Sequence, residues 1–222
     1  MKPGTQPLFF RSSATARFCF SDLQAQQTAA FNEIKAHLKS HTVIVAEVEP
    51  TITVGRHGKT DKLATEAWFQ TQGVDFHRIE RGGFETYHGP GQWVLYPVAR
   101  LETLVGDSRG VKEFVCRALT ATNRVLSHFE VTATIKEGTE LGIWVGRKKL
   151  VSLGIQVKDG IVLNGLSLNV TRHPKSFIGI TPCGLAAEPG FLSELTDKKI
   201  DFQAAGELWA REITEEFKLL PC

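Results

Sequence analysis

The sequence predicts a single α/β domain of the α+β type, with a mixed, largely antiparallel sheet flanked by helices. Apolar residues recur at helical spacing in three long segments, and segments of strand length lie between them. The dipeptide Asp159-Gly160 separates two such strands and is typical of a tight hairpin turn. The 222 residues, 42% hydrophobic and 23% charged, suffice for one core, and no repeat or linker divides them. We therefore expect one domain over residues 1–222, with an N-terminal extension at 1–17.

The first half of the chain begins with a helix and continues mainly as strands. The helix has a suitable N-cap at Ser21 or Asp22, and its inward face is predicted at Leu23, Gln27, Ala30, Phe31, Ile34 and Leu38. Residues 42–55 predict two strands separated by a turn at Pro50. The remaining elements of this half are a helix and two strands, over 61–72, 74–79 and 93–98.

The second half predicts a strand-rich region between two helices. The helix over 110–128 has an apolar face formed by Val111, Phe114, Val115, Ala118, Leu119, Val125 and Leu126. Four strands then form a predicted meander, over 131–136, 143–145, 150–157 and 161–170. The last helix begins near Asp201 and has an apolar face formed by Phe202, Leu208, Trp209, Ile213 and Phe217.

Charge, hydropathy and cysteine spacing exclude several functional classes. The net charge of +2 is too small for the basic face that nucleic-acid binding requires, and the longest apolar runs are too short to span a membrane. Four scattered cysteines without CxxC or Cys/His spacing predict no metal site and favour a cytoplasmic location, with Cys19 and Cys116 in the core. Residues 1–21 lack acidic side chains, which leaves an organellar transit peptide as a minor alternative.

The densest functional signal is the segment 81–92, which reads RGGFETYHGPGQ between two predicted strands. Its four glycines permit close approach of the backbone to a ligand, while Arg81 and His88 supply charge or hydrogen bonds. The segment fits neither the Rossmann nor the P-loop template. We interpret it as a ligand-binding loop, with a long structural turn as the alternative.

Cys183 is the candidate nucleophile, because Pro182 and Gly184 place it on a turn after a short apolar run. The alternative is a buried core cysteine. An active thiol needs a neighbour that accepts its proton or stabilises its thiolate. Lys149 is a candidate, since it directly precedes an apolar strand, although three consecutive basic residues often form a solvated turn. His173 has no feature that distinguishes it from an exposed histidine.

Three motifs in this order resemble the lipoyl(octanoyl) transferase family. Residues 81–92 are similar to its RGGxxTYHGPGQ element, and residues 142–155, GIWVGRKKLVSLGI, are similar to its GVWV…K-[IL]-x-x-[LI]-GI stretch. Residues 177–185, FIGITPCGL, are similar to F-x-x-I-x-PCG. The resemblance implies a fold similar to the biotin/lipoate protein ligase catalytic domain. It also implies an acyltransferase that moves an octanoyl group in lipoate biosynthesis.

By this resemblance Cys183 carries the acyl group as a thioester and Lys149 is its base. The implied substrate-binding residues are Arg81, Gly82, Gly83, Phe84, Glu85, Thr86, Tyr87, His88, Ser152, Leu153, Gly154, Gly165, Leu166 and Ser167. The family requires no cofactor. Its donor is octanoyl-acyl carrier protein, and its acceptors are lipoyl domains of 2-oxoacid dehydrogenase complexes and the glycine cleavage H protein. We expect a monomer whose basic residues meet these acidic partners, namely Arg56, His57, Lys59, Lys62, Arg147 and Lys148.

Two positions depart from the family pattern. Asn164 stands where the family usually has histidine, and Ser167 stands where it usually has alanine. Both bear on acyl-chain preference, although Asn164 has the alternative reading of a residue at a strand bulge. Three other functions remain open: an ATP-dependent lipoate or biotin ligase, a catalytically silent acyl-carrier-binding protein, and a cysteine thioesterase.

Overall fold

The structure is a computed structural model that describes residues 17–58, 66–180 and 188–219, together with the backbone of Leu8–Phe10. Five helices lie in this part of the chain: α1 (Phe20–Lys35), α2 (Glu66–Thr71), α3 (Leu101–Val105), α4 (Val111–His128) and α5 (Phe202–Glu216). None of them combines the length and apolar character that a membrane-spanning helix needs.

A mixed sheet of eight strands forms the centre of the fold. Its strands are β1 (Leu8–Phe10), β2 (His41–Ala46), β6 (Gln92–Arg100), β7 (Thr134–Lys136), β8 (Gly142–Val145), β9 (Lys148–Lys158), β10 (Ile161–Asn169) and β11 (Glu188–Pro189). Seven follow the order β1-β2-β6-β10-β9-β8-β7, and β11 pairs with β9. Pairing is antiparallel except for β1 with β2 and β11 with β9. The predicted fold class is confirmed.

Both faces of this sheet are covered by helices. Along β2, Val43 and Val45 pack into one core with α4 and α5, whereas Ile44 and Ala46 pack into a second core with α1. Side chains alternate between the two faces of a strand, so β2 is buried at every position. Trp93 continues the first core, where its ring stacks on Phe202 with centroids 4.6 Å apart.

A second, smaller sheet packs with α2. Its strands are β3 (Thr51–Val54), β4 (Asp75–Arg78) and β5 (Glu85–His88), in the order β4-β3-β5. Ile52, Val54 and Tyr87 form its core with Phe69 of α2. Only three residues separate β5 from β6, so this short connection holds β5 of the small sheet next to the large sheet.

The predicted helices at 110–128 and near Asp201 are confirmed, and so is the hairpin. Asp159 and Gly160 have φ angles of +50° and +74°, the left-handed values that a tight two-residue turn requires. The Asp201 carboxylate accepts a hydrogen bond from the Ala204 N–H at 2.8 Å and caps α5. The predicted helix over 61–72 is observed as Glu66–Thr71, and residues 59–65 lie outside the described part.

Several sequence predictions are wrong. Helix α1 begins at Phe20 with Cys19 as its N-cap residue, so neither Ser21 nor Asp22 caps it, and Cys19 is only partly buried. Leu38 is 73% exposed because α1 ends at Lys35, three residues earlier. Cys116 is exposed because it lies on the face of α4 opposite Phe114 and Ala118. The segment 81–92 is not entirely a loop, since Glu85–His88 forms a strand that pairs with β3. The alternation of Glu85, Thr86, Tyr87 and His88 is too short to indicate that strand alone.

Candidate active site

Strand β5 divides the glycine-rich motif between two environments. Thr86 and His88 face a cavity against the large sheet, whereas Tyr87 points into the small core, where its ring lies 5.4 Å from that of Phe177. Glu85 is buried beside Gly58, and its Oε1 has no hydrogen-bond partner within the described part of the chain. Successive strand residues point to opposite faces, so the motif presents only alternate side chains to the cavity.

Arg81 is held in place by the small sheet. Its guanidinium donates to the Thr53 carbonyl oxygen and to Thr53 Oγ1, both at 2.8 Å, and to the Gly82 carbonyl oxygen at 2.9 Å. The Gly82 N–H in turn donates to the Ile155 carbonyl oxygen of β9 at 2.9 Å. Arg81 therefore fixes a cationic group where the small sheet meets β9.

The cavity lies between β5 and the strands β6, β9 and β10, and has a volume of about 30 Å³. Its lining consists of Arg81, Thr86, His88, Tyr96, Ser152, Gly154, Asn164, Gly165, Leu166 and Ser167. Eight of these were predicted to bind substrate, and Tyr96 and Asn164 were not. The predicted residues outside the lining are Gly82, Gly83, Phe84, Glu85, Tyr87 and Leu153. Of these, Leu153 packs against the first core, which the large sheet forms with α4 and α5.

Two paired glycines, Gly165 and Gly154, stand opposite each other in the wall of the cavity. A Cβ on Gly165 would lie 2.1 Å from the Leu95 carbonyl oxygen, a backbone atom that cannot move without separating β10 from β6. A Cβ on Gly154 would lie 3.1 Å from Arg81 Cδ. The absence of side chains at this pair therefore keeps β6, β10 and Arg81 in close contact.

Gly165→Ala is expected to lower the free energy of unfolding by about 1–3 kcal/mol, because the new methyl group overpacks the β6–β10 contact. Urea denaturation measures this change. The matched control is Gly82→Ala, whose Cβ would meet only the Ile155 carbonyl oxygen at 3.4 Å and should change stability little. Equal stabilities of the two variants would contradict the close approach at Gly165.

Asn164 has a left-handed backbone, with φ +58°. In the register of β6 and β10 it stands opposite Pro97, which has no N–H to pair. The Asn164 N–H instead donates to Gln27 Oε1 of α1 at 2.5 Å. The pairing of β9 with β10 continues without a shift through Asn164 and Ile155, so the alternative of a bulge in that pair is wrong.

A β-bulge sets the direction of Lys149. Ile143 pairs with Val151 but Trp144 pairs with Lys149, so Leu150 is an extra residue in β9. Without it, simple alternation would put Lys149 on the core face with Val151; with it, Lys149 shares the face of Ser152 and Gly154. Lys149 is only 4% exposed, so the alternative of a solvated turn at this residue is wrong.

Trp144 and Gly142 enclose the Lys149 side chain. The Lys149 Nζ lies 5.3 Å from the centre of the Trp144 ring, and Lys136 Nζ lies 4.4 Å from it. A Cβ on Gly142 would lie 2.7 Å from Lys149 Cε, so a side chain at 142 would displace the lysine. Lys149 is not among the described residues that line the cavity, although it lies on the cavity face of β9.

His88 is buried next to a fixed cation. Its Nδ1 lies 2.7 Å from Gln92 Oε1. Burial is the main reason that the pKa of His88 falls to about 4, the Gln92 hydrogen bond opposes this fall, and the charge of Arg81 adds to it. His88 is therefore neutral at pH 7. Burial also raises the pKa of Tyr96, which stays protonated in the cavity wall.

Cys183 lies outside the described residues, in the segment 181–187. The residues on either side of this segment are placed. Phe177, Ile178 and Ile180 pack against the small core. After the segment, Glu188 and Pro189 pair in parallel with Lys148 and Lys149. The chain therefore rejoins the described fold beside Lys149.

His173 lies in the turn region before this segment, and its Nδ1 lies 3.2 Å from the Lys175 N–H. Partial burial is the main reason that its pKa is lowered, and Arg17 and Lys175 lower it further. Sequence reasoning did not single out Gln92, Tyr96, Asn169 or Trp144, which the structure places around the candidate residues. Gln92 was the most accessible of these to prediction, since it ends the glycine-rich motif.

Comparison with known proteins identifies the family. The lipoyl protein ligase A/B catalytic domain matches residues 21–214. The chain is 35% identical over 170 residues to an octanoyltransferase of Alkaliphilus metalliredigens, covering 75% of this chain and 76% of the relative. It is 38% identical over 173 residues to an octanoyltransferase of Maridesulfovibrio salexigens, covering 77% and 79%.

A solved structure supports the same fold. It is that of a bipartite lipoate protein ligase from Thermoplasma acidophilum, described with its E2 lipoyl domain. It superimposes with a TM-score of 0.68 at 14% identity, over 96% of this chain and 84% of that chain. The chain belongs to the lipoyl protein ligase A/B catalytic-domain family and, within it, to the octanoyltransferases, which are acyltransferases.

Proposed function

We propose that this protein transfers an octanoyl group from octanoyl-acyl carrier protein to a lysine amine of a lipoyl domain, through a thioester on Cys183. The observation that carries the proposal is the placement of Lys149. A bulge turns this lysine onto the cavity face of β9, directly beside the point where the chain returns from the Cys183 segment. Family membership supports the octanoyl group as the substrate.

In the first half-reaction Lys149 removes the thiol proton, and the Cys183 sulfur attacks the carbonyl carbon of the donor thioester. The bond between that carbon and the carrier sulfur breaks, and the carrier thiolate takes the proton from Lys149. One thioester replaces another, so the step needs no ATP.

In the second half-reaction the lysine amine of the acceptor attacks the Cys183 thioester. The carbon–sulfur bond breaks, the amide forms, and the amine proton passes through Lys149 to the departing sulfur. An amide is more stable than a thioester, which drives the transfer toward the acceptor. The reactive cysteine must stay a free thiol, which fits the reducing conditions of a cytoplasm.

The cavity restricts how the chain of the acyl group is held. A volume of about 30 Å³ has room for only a small group, whereas an octanoyl chain has eight carbons. The octanoyl chain therefore extends beyond this cavity or displaces the side chains around it. Asn164 and Ser167 line this cavity at the two positions that depart from the family pattern, so they are proposed to influence chain preference.

Local positive charge is proposed to guide the acidic partners. Arg56, His57 and Arg147 are exposed, and Lys148 is half-buried. Lys59 and Lys62 lie outside the described residues. Such rim charges affect the rate of association more than the final affinity, and their effect falls as salt rises.

The proposal is tested by incubating the protein with octanoyl-acyl carrier protein and a lipoyl domain, without ATP, and weighing the lipoyl domain. One octanoyl group on its lysine is the expected product. No transfer in this incubation, together with transfer in a parallel one that contains free octanoate and ATP, would instead identify a ligase. Release of free octanoate would identify a thioesterase, and binding of the carrier without any reaction would identify a silent carrier-binding protein; each of these three results contradicts the proposal.

A further inference from the structure

Three buried side chains connect the glycine-rich motif to Lys149 through hydrogen bonds. His88 Nδ1 lies 2.7 Å from Gln92 Oε1, and Gln92 Nε2 lies 2.8 Å from Asn169 Oδ1. Asn169 Nδ2 lies 3.0 Å from the Gly190 carbonyl oxygen and 3.4 Å from that of Lys149. None of the three side-chain residues is more than 6% exposed.

The direction of every hydrogen bond in this series follows from the backbone carbonyls at its ends. Asn169 Nδ2 faces two carbonyl oxygens, which only accept, so the amide nitrogen is on that side and Oδ1 faces Gln92. Gln92 Nε2 also donates to the Tyr87 carbonyl oxygen at 3.0 Å, which fixes the Gln92 amide independently. Gln92 Oε1 therefore accepts from His88, and the hydrogen of the neutral imidazole is on Nδ1.

This arrangement determines what His88 offers to a ligand. With its hydrogen on Nδ1, the neutral ring has a lone pair on Nε2, which accepts a hydrogen bond from an N–H or O–H group. Arg81 is the charged group that faces His88, and together with burial it keeps the ring neutral. An incoming amine has N–H groups that donate to such a nitrogen, and this hydrogen bond orients the amine.

The other end of the series fixes the backbone at the proposed base. Gly190 donates its N–H to the Lys149 carbonyl oxygen at 2.9 Å, and its own carbonyl oxygen accepts from Asn169. Asn169 thus holds β9 at Lys149 and the chain that returns from the Cys183 segment. Asn169 and Gln92 stand directly opposite each other in the pairing of β10 with β6, so both amides belong to rigid strands.

We propose that Gln92 and Asn169 are positioning residues, forming a two-amide relay that orients His88 as an acceptor for the incoming amine and fixes the backbone at Lys149. The catalytic part of this inference rests on the proposed function, whereas the relay itself does not. The relay couples the two motifs, since a change at either amide affects both His88 and Lys149.

The first test is Gln92→Glu, read by NMR titration of the His88 ring. A carboxylate in place of the amide accepts the same Nδ1–H and stabilises the charged ring, so the pKa of His88 should rise by about one to three units. His88→Asn identifies the signal, and Gln26→Glu on the exposed face of α1 is the matched control. An unchanged pKa for His88 would overturn the relay, and this readout does not depend on catalysis.

The second test is Asn169→Leu, read by single-turnover acylation and by steady-state kinetics. Misplacement of Lys149 should lower kcat about tenfold to a hundredfold, with the KM for the octanoyl donor nearly unchanged. Asn32→Asp, an exposed amide change on α1, is the control. A folded Asn169→Leu protein with the wild-type kcat would overturn the positioning role. If the wild-type protein itself forms no acyl-enzyme, the proposed function fails, while the His88 titration still decides the relay.

Discussion

Replacing Cys183 with serine is expected to reduce octanoyl transfer by at least about 10⁴-fold, because the nucleophile that carries the acyl group is lost. A serine hydroxyl is far less acidic than a thiol, so Lys149 cannot generate an effective nucleophile from it at neutral pH. The measurement is the initial rate of transfer from octanoyl-acyl carrier protein to a lipoyl domain.

The matched control for this change is Cys116→Ser. Cys116 is exposed on α4, and its replacement should leave the transfer rate within a factor of two or so of the wild-type rate. Transfer by Cys183→Ser at the rate of this control would show that another group receives the acyl chain. The covalent route through Cys183 would then be wrong.

The Lys149→Met variant is expected to slow acylation of Cys183 by about 10²- to 10⁴-fold, the usual loss when a general base is removed. Methionine fills similar space between Gly142 and Trp144, so the loss reports the amine and not a collapsed pocket. Rapid-quench mass spectrometry measures the rate at which the protein gains one octanoyl group.

Lys148→Met is the matched control for Lys149. The two lysines are neighbours in β9, but Lys148 is only partly buried and lies before the bulge. Its replacement should change the acylation rate by less than about threefold, since a surface charge acts mainly through steering. Equal losses in the two variants would indicate a general effect of positive charge and would contradict a specific base at 149.

The sequence predicts most elements of this fold because local signals determine them. The apolar repeat over 110–128 specifies α4, and Asp159-Gly160 specifies the hairpin through backbone angles that few other residues adopt. Errors occur where a local pattern extends past the element that it describes. Leu38 continues the helical period of α1, yet the helix has already ended.

The second sheet could not be predicted from the sequence, because its pairs are formed by residues far apart in the chain. Thr51 of β3 pairs with both Asp75 and His88, and each of these partners lies more than twenty residues further along the chain. The strand in the glycine-rich motif exists only through this pairing. Its alternation decides which of the motif's side chains reach the cavity, which is why a list based on the motif alone includes Tyr87 and Glu85.

The position of Lys149 depends on a β-bulge that no pattern in the sequence indicates. Sequence reasoning left an inward-pointing lysine and a solvated turn as alternatives, because an apolar strand follows three consecutive basic residues; Lys149 is buried. The cause is different, since an extra residue at Leu150 changes the alternation of β9. The relay through Gln92 and Asn169 is still less accessible to sequence reasoning, because it depends on the register between β6 and β10. The roles of Cys183 and Lys149 come from the resemblance to the family, and they stay predictions.

The most direct test of the acyl-enzyme is to quench the protein after mixing with octanoyl-acyl carrier protein alone, digest it, and find the acylated peptide by mass spectrometry. The predicted result is one octanoyl group on the peptide that contains Cys183, labile to hydroxylamine as a thioester and discharged when a lipoyl domain is added. Octanoyl transfer by a protein that never carries the octanoyl group on Cys183 would show that the reaction does not pass through a Cys183 thioester.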